Sequence, residues 1–366
     1  MTHKLFLLIL FVGILLGGCS PAAQSTYDAA SGRPAILIAD AQAYALFPAA
    51  LGARTASLLA TDDSGLTGRN REWGALFSPR FQLGAGSALR TTLVAGRPDA
   101  AARAFRAIEV GAAVIQADGY VPSRVPPAVS GGAEPTKADV AGGAAFFLGD
   151  ACLGLLALEA NARPGLVAVP ERREVVRGRL VAALGWLLAQ EELLMWADQA
   201  APNRLLFDAR AFQACGALAS DNRLRAEASG AASRFVYAGL ALLSPAGYFV
   251  EAGGFDTSYQ GVAVAVGEDI LLAGYTGGAL PASLTRAAEW LVERVGPKGQ
   301  IESADNRRTC GGGETFLGEP KRIDVSNVFT GLVYAGIRTR HQPFLSAASR
   351  IEEWVKANPG ADPCLL

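Results

Sequence analysis

One stretch of ten residues, Glu251 to Gln260, places two carboxylates and a phenol close together: Glu251, Asp256 and Tyr259. Paired carboxyl groups are the apparatus of glycoside hydrolysis, where one gives a proton and the other activates water or attacks carbon. A tyrosine beside arginines suits a different reaction, elimination from a uronic acid. There the guanidinium forks hold the sugar carboxylate and ease carbanion formation, while a phenolate takes the C5 proton. The arginines are present as Arg307, Arg308 and Arg322, with Arg124 in an earlier loop beside Asp118 and Tyr120. Tyr248 and Trp73 add rings that can stack on sugar faces. The candidate catalytic set is therefore Glu251, Asp256 and Tyr259. The candidate binding set is Asp118, Tyr120, Arg124, Tyr248, Arg307, Arg308, Arg322 and Trp73.

Each of these residues also has a plainer use. Asp256 precedes a helical pattern and can serve as an N-cap, which leaves Glu251 as the better proton-transfer group. Tyr259 can be a helix aromatic with its hydroxyl satisfied. Arg307 and Arg308 can belong to a solvated loop held by ion pairs.

Composition removes other chemistries. The chain has 366 residues, a formal net charge of −1 and only two histidines, His3 and His341. That excludes a multi-His metal site, weakens any Ser-His-Asp triad, and gives no sign of a nucleic-acid partner or a cofactor. Besides Cys19, four cysteines remain, Cys152, Cys215, Cys310 and Cys364, and they allow three pairings. Cys310 lies in a Gly-rich loop and Cys364 in the tail, so a Cys310–Cys364 bridge is expected. Cys152 and Cys215 sit inside apolar helical patterns and read as small buried hydrophobes.

The N-terminus carries an address. A short basic start leads into an apolar run from Leu5 to Leu16, too short to span a bilayer comfortably, followed by Leu16-Gly17-Gly18-Cys19-Ser20. Leu16 to Cys19 resembles the lipobox of bacterial lipoproteins. The resemblance implies a signal peptide over 1–18, cleavage before Cys19, lipid on its sulfur and a membrane as partner. Ser20 stands where an Asp would favour inner-membrane retention, so the outer membrane is the expected site. Residues 19–35, small and polar, read as a flexible tether, and the domain fills 36–366. No later apolar run reads as a second span.

Beyond the tether, helical periodicity recurs to the end. Helices are expected near 40–61, 79–95, 98–115, 138–161, 172–197, 207–219, 222–242, 256–272, 281–295, 324–338 and 342–357. They alternate between small, apolar helices (138–161, 207–219, 256–272, 324–338) and amphipathic ones such as 281–295 and 342–357, as buried inner and covering outer helices would. Inner helices share an apolar-Asp start at Asp208, Asp256 and Asp324, with looser copies at Asp40 and Asp139. Three loops open alike with a turn glycine, at Gln116–Val121, Ser244–Val250 and Gly296–Ile301, and long loops collect on one rim.

This pattern resembles the α/α-toroid superfamily, which includes glycoside hydrolases, polysaccharide lyases and terpenoid cyclases. Its nearest thing to a signature is Glu251-Ala252-Gly253-Gly254-Phe255-Asp256-Thr257-Ser258-Tyr259-Gln260. The resemblance implies an all-α fold, an (α/α) toroid of about five to six inner/outer helix pairs. It also implies a site at the inner-helix N-termini, where loops 116–137, 243–255 and 296–323 meet. Toroidal lyases pair a Tyr with a His or Asn near an Arg; here the His is missing, since His341 falls on the opposite, short-loop rim. The functional expectation is an envelope lipoprotein that acts on or recognises an acidic polysaccharide. A non-catalytic glycan- or protein-binding lipoprotein and an envelope scaffold are the alternatives. For the address, Cys19→Ala should release the protein from the membrane fraction and abolish acyl labelling; unchanged fractionation would refute it.

Overall fold

The computed structural model describes residues 35–59, 64–73, 76–130, 132–161, 170–316 and 318–364. Cys19, the signal segment and nearly all of the tether lie outside them. Among the described residues there are fourteen helices and one two-stranded hairpin. The helices are α1 (Ala35–Leu46), α2 (Pro48–Leu58), α3 (Ala85–Val94), α4 (Pro98–Ala113), α5 (Pro127–Ser130), α6 (Lys137–Ala160) and α7 (Pro170–Leu188). They continue with α8 (Glu191–Asp198), α9 (Pro202–Leu218), α10 (Asn222–Ala241), α11 (Thr257–Leu272), α12 (Ala279–Glu293), α13 (Val325–Thr339) and α14 (Gln342–Ala357). The hairpin pairs β1 (Thr315–Phe316) with β2 (Glu319–Pro320). The protein is all-α.

The boundaries follow local chemistry and correct several expectations. The helix expected over 40–61 is two, because Pro48 lacks the N–H that would continue α1 and instead starts α2 at a 111° bend. The helix expected over 172–197 also breaks, bending 69° between α7 and α8. Of the shared Asp starts, only Asp256 and Asp324 cap helices, accepting from the amides of Tyr259 and Asn327. Asp139 sits at the third position of α6 in a capping box with Thr136. Asp40 and Asp208 lie inside α1 and α9; Pro202, not Phe207-Asp208, begins α9. A further correction concerns α6, which by length and composition is apolar enough to cross a membrane. Most of it is nevertheless packed inside the protein.

Packing separates the helices into two sets. α1, α3, α6, α9, α11 and α13 pack each on the next, and α13 packs back on α1. α4, α7, α10, α12 and α14 pack in series outside them, each also touching the helix of the first set that precedes it in the chain. Burial tracks the division: 16 of 24 residues are buried in α6, against 4 of 16 in α14. Small residues permit the close crossings of the first set. A Cβ on Gly86 of α3 would fall 1.8 Å from the Asp150 carbonyl oxygen of α6. Cys152 and Cys215 are not separate thiols as expected but form a disulfide joining α6 to α9. Cys310 and Cys364 are also bonded, tying the last long loop to the C-terminal tail.

The recurrent turn glycines dock loops on the outer helices. Gly119, Gly247 and Gly299 have φ of 85°, 96° and 90°, and each closes the same pair of backbone hydrogen bonds. Each lies against a carbonyl, of Ala182, Arg286 or Arg350, four residues before Trp186, Trp290 or Trp354. An ideal Cβ there would come within 2.2, 2.9 and 1.9 Å of those oxygens. Gln260 fastens one such turn from α11, accepting from the Phe249 amide and donating to the carbonyls of Gly247 and Ala287. Gln82 holds the earlier loop alike, through Thr67, Gly65 and Ala107.

A buried ionic network crosses the middle of the first set. Arg90 of α3 makes a two-pronged pair with Asp40 of α1 at 2.9 and 2.7 Å and bonds Asp269 of α11 at 2.7 Å. Arg210 of α9 holds the other Asp269 oxygen at 3.0 Å, and the Tyr334 hydroxyl of α13 donates to Asp40. Asp150 of α6 completes the set by accepting the Gly86 and Ser87 amides at the start of α3. Burial opposes charge on Asp269, but Arg90 and Arg210 hold its pKa below the ordinary value. Arg90→Met should cost about 3–5 kcal/mol in denaturant unfolding, since it strands buried carboxylates. A loss below about 1 kcal/mol, the range of an exposed pair, would show that the network is not structural.

Candidate functional site

The loops that precede α11 and α13 fold together into a charged knot. Arg308 bonds both oxygens of Glu314 at 3.0 Å and Glu251 at 2.7 Å, and its guanidinium lies 4.0 Å from the centre of the Tyr259 ring. The Tyr259 hydroxyl donates to Glu314 at 2.8 Å and accepts from Lys321 at 2.7 Å; Lys321 also reaches Glu314 at 2.6 Å. The β1–β2 hairpin brings Glu314 and Lys321 together, with the Lys321 amide donating to the Glu314 carbonyl. Ala252, Asp305 and Cys310 all have positive φ, an uncommon backbone for non-glycine residues, and all lie in the two loops of this knot.

Asp256 is spent on structure. One oxygen caps α11 through the Tyr259 amide; the other takes the amides of Arg308 and Thr309, and both lie within reach of the Thr309 hydroxyl. Glu251 is buried, 2% exposed, with one oxygen on Arg308 and the other without a donor. Burial pushes its pKa up against the pull of Arg308. Burial likewise raises the Tyr259 phenol, and the hydrogen bond to Glu314 adds to the rise in spite of Arg308. Glu314 goes the other way: burial would raise it, but Lys321, Arg308 and Tyr259 together hold it down. The knot keeps Tyr259 as a phenol and Glu314 as a carboxylate.

A second group comes from the loop before α3. Arg80, half-buried, lies 5.4 Å from the centre of the Phe146 ring, which stacks on Phe207 at 3.9 Å. No hydrogen bond or ion pair joins Arg80 to a described carboxylate, although Asp139, Asp198 and Tyr259 lie within electrostatic reach. Burial first, and then the charge of nearby Arg204, lower its pKa. Arg204 pairs with Asp198 at 3.0 Å. Beneath them Asp208 is wholly buried, and no N–H donor reaches either of its oxygens. Its neighbour is the Asp198 carboxyl, so a proton held between the two is the hydrogen bond open to it.

A cavity of about 320 Å³ lies among α2, α3, α6, α9, α11 and α13. Arg54, Ser87, Phe207, Asn327 and Ser326 line it, and Arg90, Arg210, Asp269 and Tyr334 of the ionic network also reach it.

The structure brings together Glu251, Asp256, Tyr259 and Arg308. It puts most of the other sequence candidates elsewhere. Tyr120 packs on Trp186 and Tyr248 on Trp290, so both serve the docking of turns on outer helices. Asp118 is exposed and caps its own turn at the Tyr120 amide. Arg124 is exposed, and Arg322 pairs with Asp362 in the tail; Arg307, also exposed, stays beside the knot, with its side chain against Gly254 and its amide on the Phe255 carbonyl. Trp73 packs on Phe81, which meets Phe316 of the hairpin. Arg80, Arg204, Arg54 and Asp198 were not singled out in the sequence, and Asp208 was read only as a helix start. Arg80 follows Ser78-Pro79, a legible start signal, but its neighbours come from α6, α8 and α9. No protein-family model matches the chain, and no curated protein or solved structure is significantly similar to it.

The Asp208 carboxyl sets a pH dependence. Burial and then the Asp198 charge raise its pKa well above the ordinary carboxylate value. A raised acid contributes stability that is full below its unfolded value of ~3.9 and is lost as pH rises through the folded value. Asp208→Asn keeps a donor without the charge, so its stability should improve relative to the parent from about pH 4 upward, by at most about 1.4 kcal/mol per pH unit. A difference that does not change with pH would refute the shared proton.

Proposed function

We propose that this chain is a lipid-anchored envelope protein, an (α/α)₆ toroid that recognises an acidic polysaccharide at the inner-helix N-termini. The toroid reading is supported by the circuit of α1, α3, α6, α9, α11 and α13 and by the second series packed outside it. The lipid anchor, and the outer membrane as its place, rest on the sequence around Cys19 and Ser20.

The observation that carries the recognition is Arg80. A guanidinium that is half-buried, rests on a phenylalanine and has no carboxylate partner among the described residues is a site for an external anion. Arg308 and Lys321 stand beside Tyr259, which is within electrostatic reach of Arg80, and Arg80 itself heads a stack in which Phe146 and Phe207 lie between it and Arg210. The reading is one of binding without turnover. Elimination needs a phenolate, and burial with the Glu314 bond keeps Tyr259 protonated. Hydrolysis needs two carboxyls at the substrate, whereas Glu251 and Asp256 are 2% and 1% exposed.

The test is titration of the protein with polygalacturonate and alginate at two salt concentrations. The parent should bind, Arg80→Ala should lose roughly 10- to 100-fold, and Arg80→Lys should retain part. The thermal midpoint should stay within a degree or so of the parent, because Arg80 holds no partner in the fold. No parental binding to acidic glycans, or full binding by Arg80→Ala, would overturn the reading.

A further inference from the structure

We propose that the cavity between α2 and the first helix set takes the end of a glycan chain, with Arg54 receiving the carboxylate of the terminal sugar; this rests on the acidic-polysaccharide reading above. Arg90, Arg210, Asp269 and Tyr334 line the cavity, and with Asp40 they are tied to one another from five helices. These side chains are largely buried and bar the way across the interior there, so a terminus is the part of a chain that fits.

The dimensions agree with one or two sugar rings. The volume of about 320 Å³ is at the small end of ligand cavities. From Ser326, at the start of α13, to Tyr334 the wall is roughly 12 Å deep, at about 1.5 Å per residue.

The lining also agrees. Arg54 is half-buried on α2, and its guanidinium touches only the Ser87 hydroxyl, at 3.2 Å. It has no carboxylate partner among the described residues, unlike Arg90 and Arg210 deeper in the same cavity. Ser87, Ser326 and Asn327 line the same cavity and offer the donors and acceptors a sugar's hydroxyls require, while its two further carboxylates, Asp150 and Asp324, are bonded to the Gly86 and Ser87 amides and to Asn327. Arg210 is 6% exposed, lines the cavity and leaves its Nε without an acceptor. Phe207 belongs both to the cavity wall and to the stack beneath Arg80, so a chain end in the cavity continues onto the rim.

The experiment uses the full chain and oligogalacturonates and oligomannuronates of two to eight residues. Each is offered unmodified, with the reducing end coupled to 2-aminobenzamide, or with the non-reducing end 4-O-methylated. Blocking one of the two ends should reduce affinity at least tenfold while blocking the other changes little, which also tells which end is bound. Arg54→Ala should cost at least tenfold on dimers and trimers, with partial recovery in Arg54→Lys. Equal binding of both end-blocked forms and the unmodified one would overturn the terminal mode and leave acidic-glycan recognition standing. Equal binding of dimers by Arg54→Ala and the parent would likewise remove Arg54 from the site. Failure of the parent to bind any acidic oligomer or polymer would overturn the underlying reading, and this inference with it.

Discussion

Arg90 is 4% exposed and has two carboxylates to satisfy. Its guanidinium joins Asp40 of α1 and Asp269 of α11; Asp269 brings Arg210 of α9, and Asp40 brings Tyr334 of α13. Buried ion pairs add little net stability over a packed apolar core, because desolvation consumes most of the attraction. Their effect lies in what they forbid. If one helix slid by a residue relative to its neighbours, a charge would be left in the interior unpaired, at a cost of several kcal/mol. The close glycine and alanine crossings of the same helices supply packing with little shape to fix register. The network supplies that register among α1, α3, α9, α11 and α13.

The loops inherit a common problem. Each must cross from the end of an outer helix to the beginning of the next member of the first set. Three of them solve it with a left-handed glycine seated on a carbonyl of the following outer helix, next to a tryptophan. The rest of each loop is then free to vary, and the last one departs furthest. It turns through Asp305 and Cys310 at positive φ, projects the hairpin, and is tied to the tail by Cys310–Cys364. Arg308, Glu314 and Lys321 reach Tyr259 only because of that excursion.

How much of this was legible depends on range. Helix positions and the alternation of two helix types are written in local periodicity, and the structure keeps most of them to within a few residues; the exceptions include the breaks at Pro48 and between α7 and α8, the start of α3 six residues later than expected and the start of α9 five residues earlier. The apolar-Asp motif misled because a cap and a mid-helix aspartate look alike in a short window. Pro202, six residues before Asp208, was the real start signal. The Cys152–Cys215 bond spans 63 residues between two helical patterns, and only the packing of α6 on α9 brings the Cα atoms to 5.1 Å. Within the candidate site, Glu251, Asp256 and Tyr259 could be grouped because they share one segment. Their partners Glu314 and Lys321 lie 55 and 62 residues beyond Tyr259, and the turn residues between gave no local sign of the hairpin that delivers them.

The arginines divide by what surrounds them, and the division carries functional information. Arg90, Arg210, Arg308 and Arg338 each have a carboxylate at hydrogen-bond distance, as a partly desolvated guanidinium must if folding alone decides its place. Arg80 and Arg54 face the same first set of helices without one. Both are half-buried, so each guanidinium keeps an open side that no group of the described residues claims. That open side is what the proposed anion recognition uses. The positive-φ residues Ala252, Asp305 and Cys310 hold an uncommon backbone in the adjoining loops. Asp256, by contrast, has both oxygens taken by neighbouring donors, which is what a framework requires of its carboxylates, whereas Glu251 is met by Arg308 on one oxygen only. The groups that the fold leaves incomplete, rather than those whose types first suggest chemistry, are therefore the ones on which the proposed anion recognition rests.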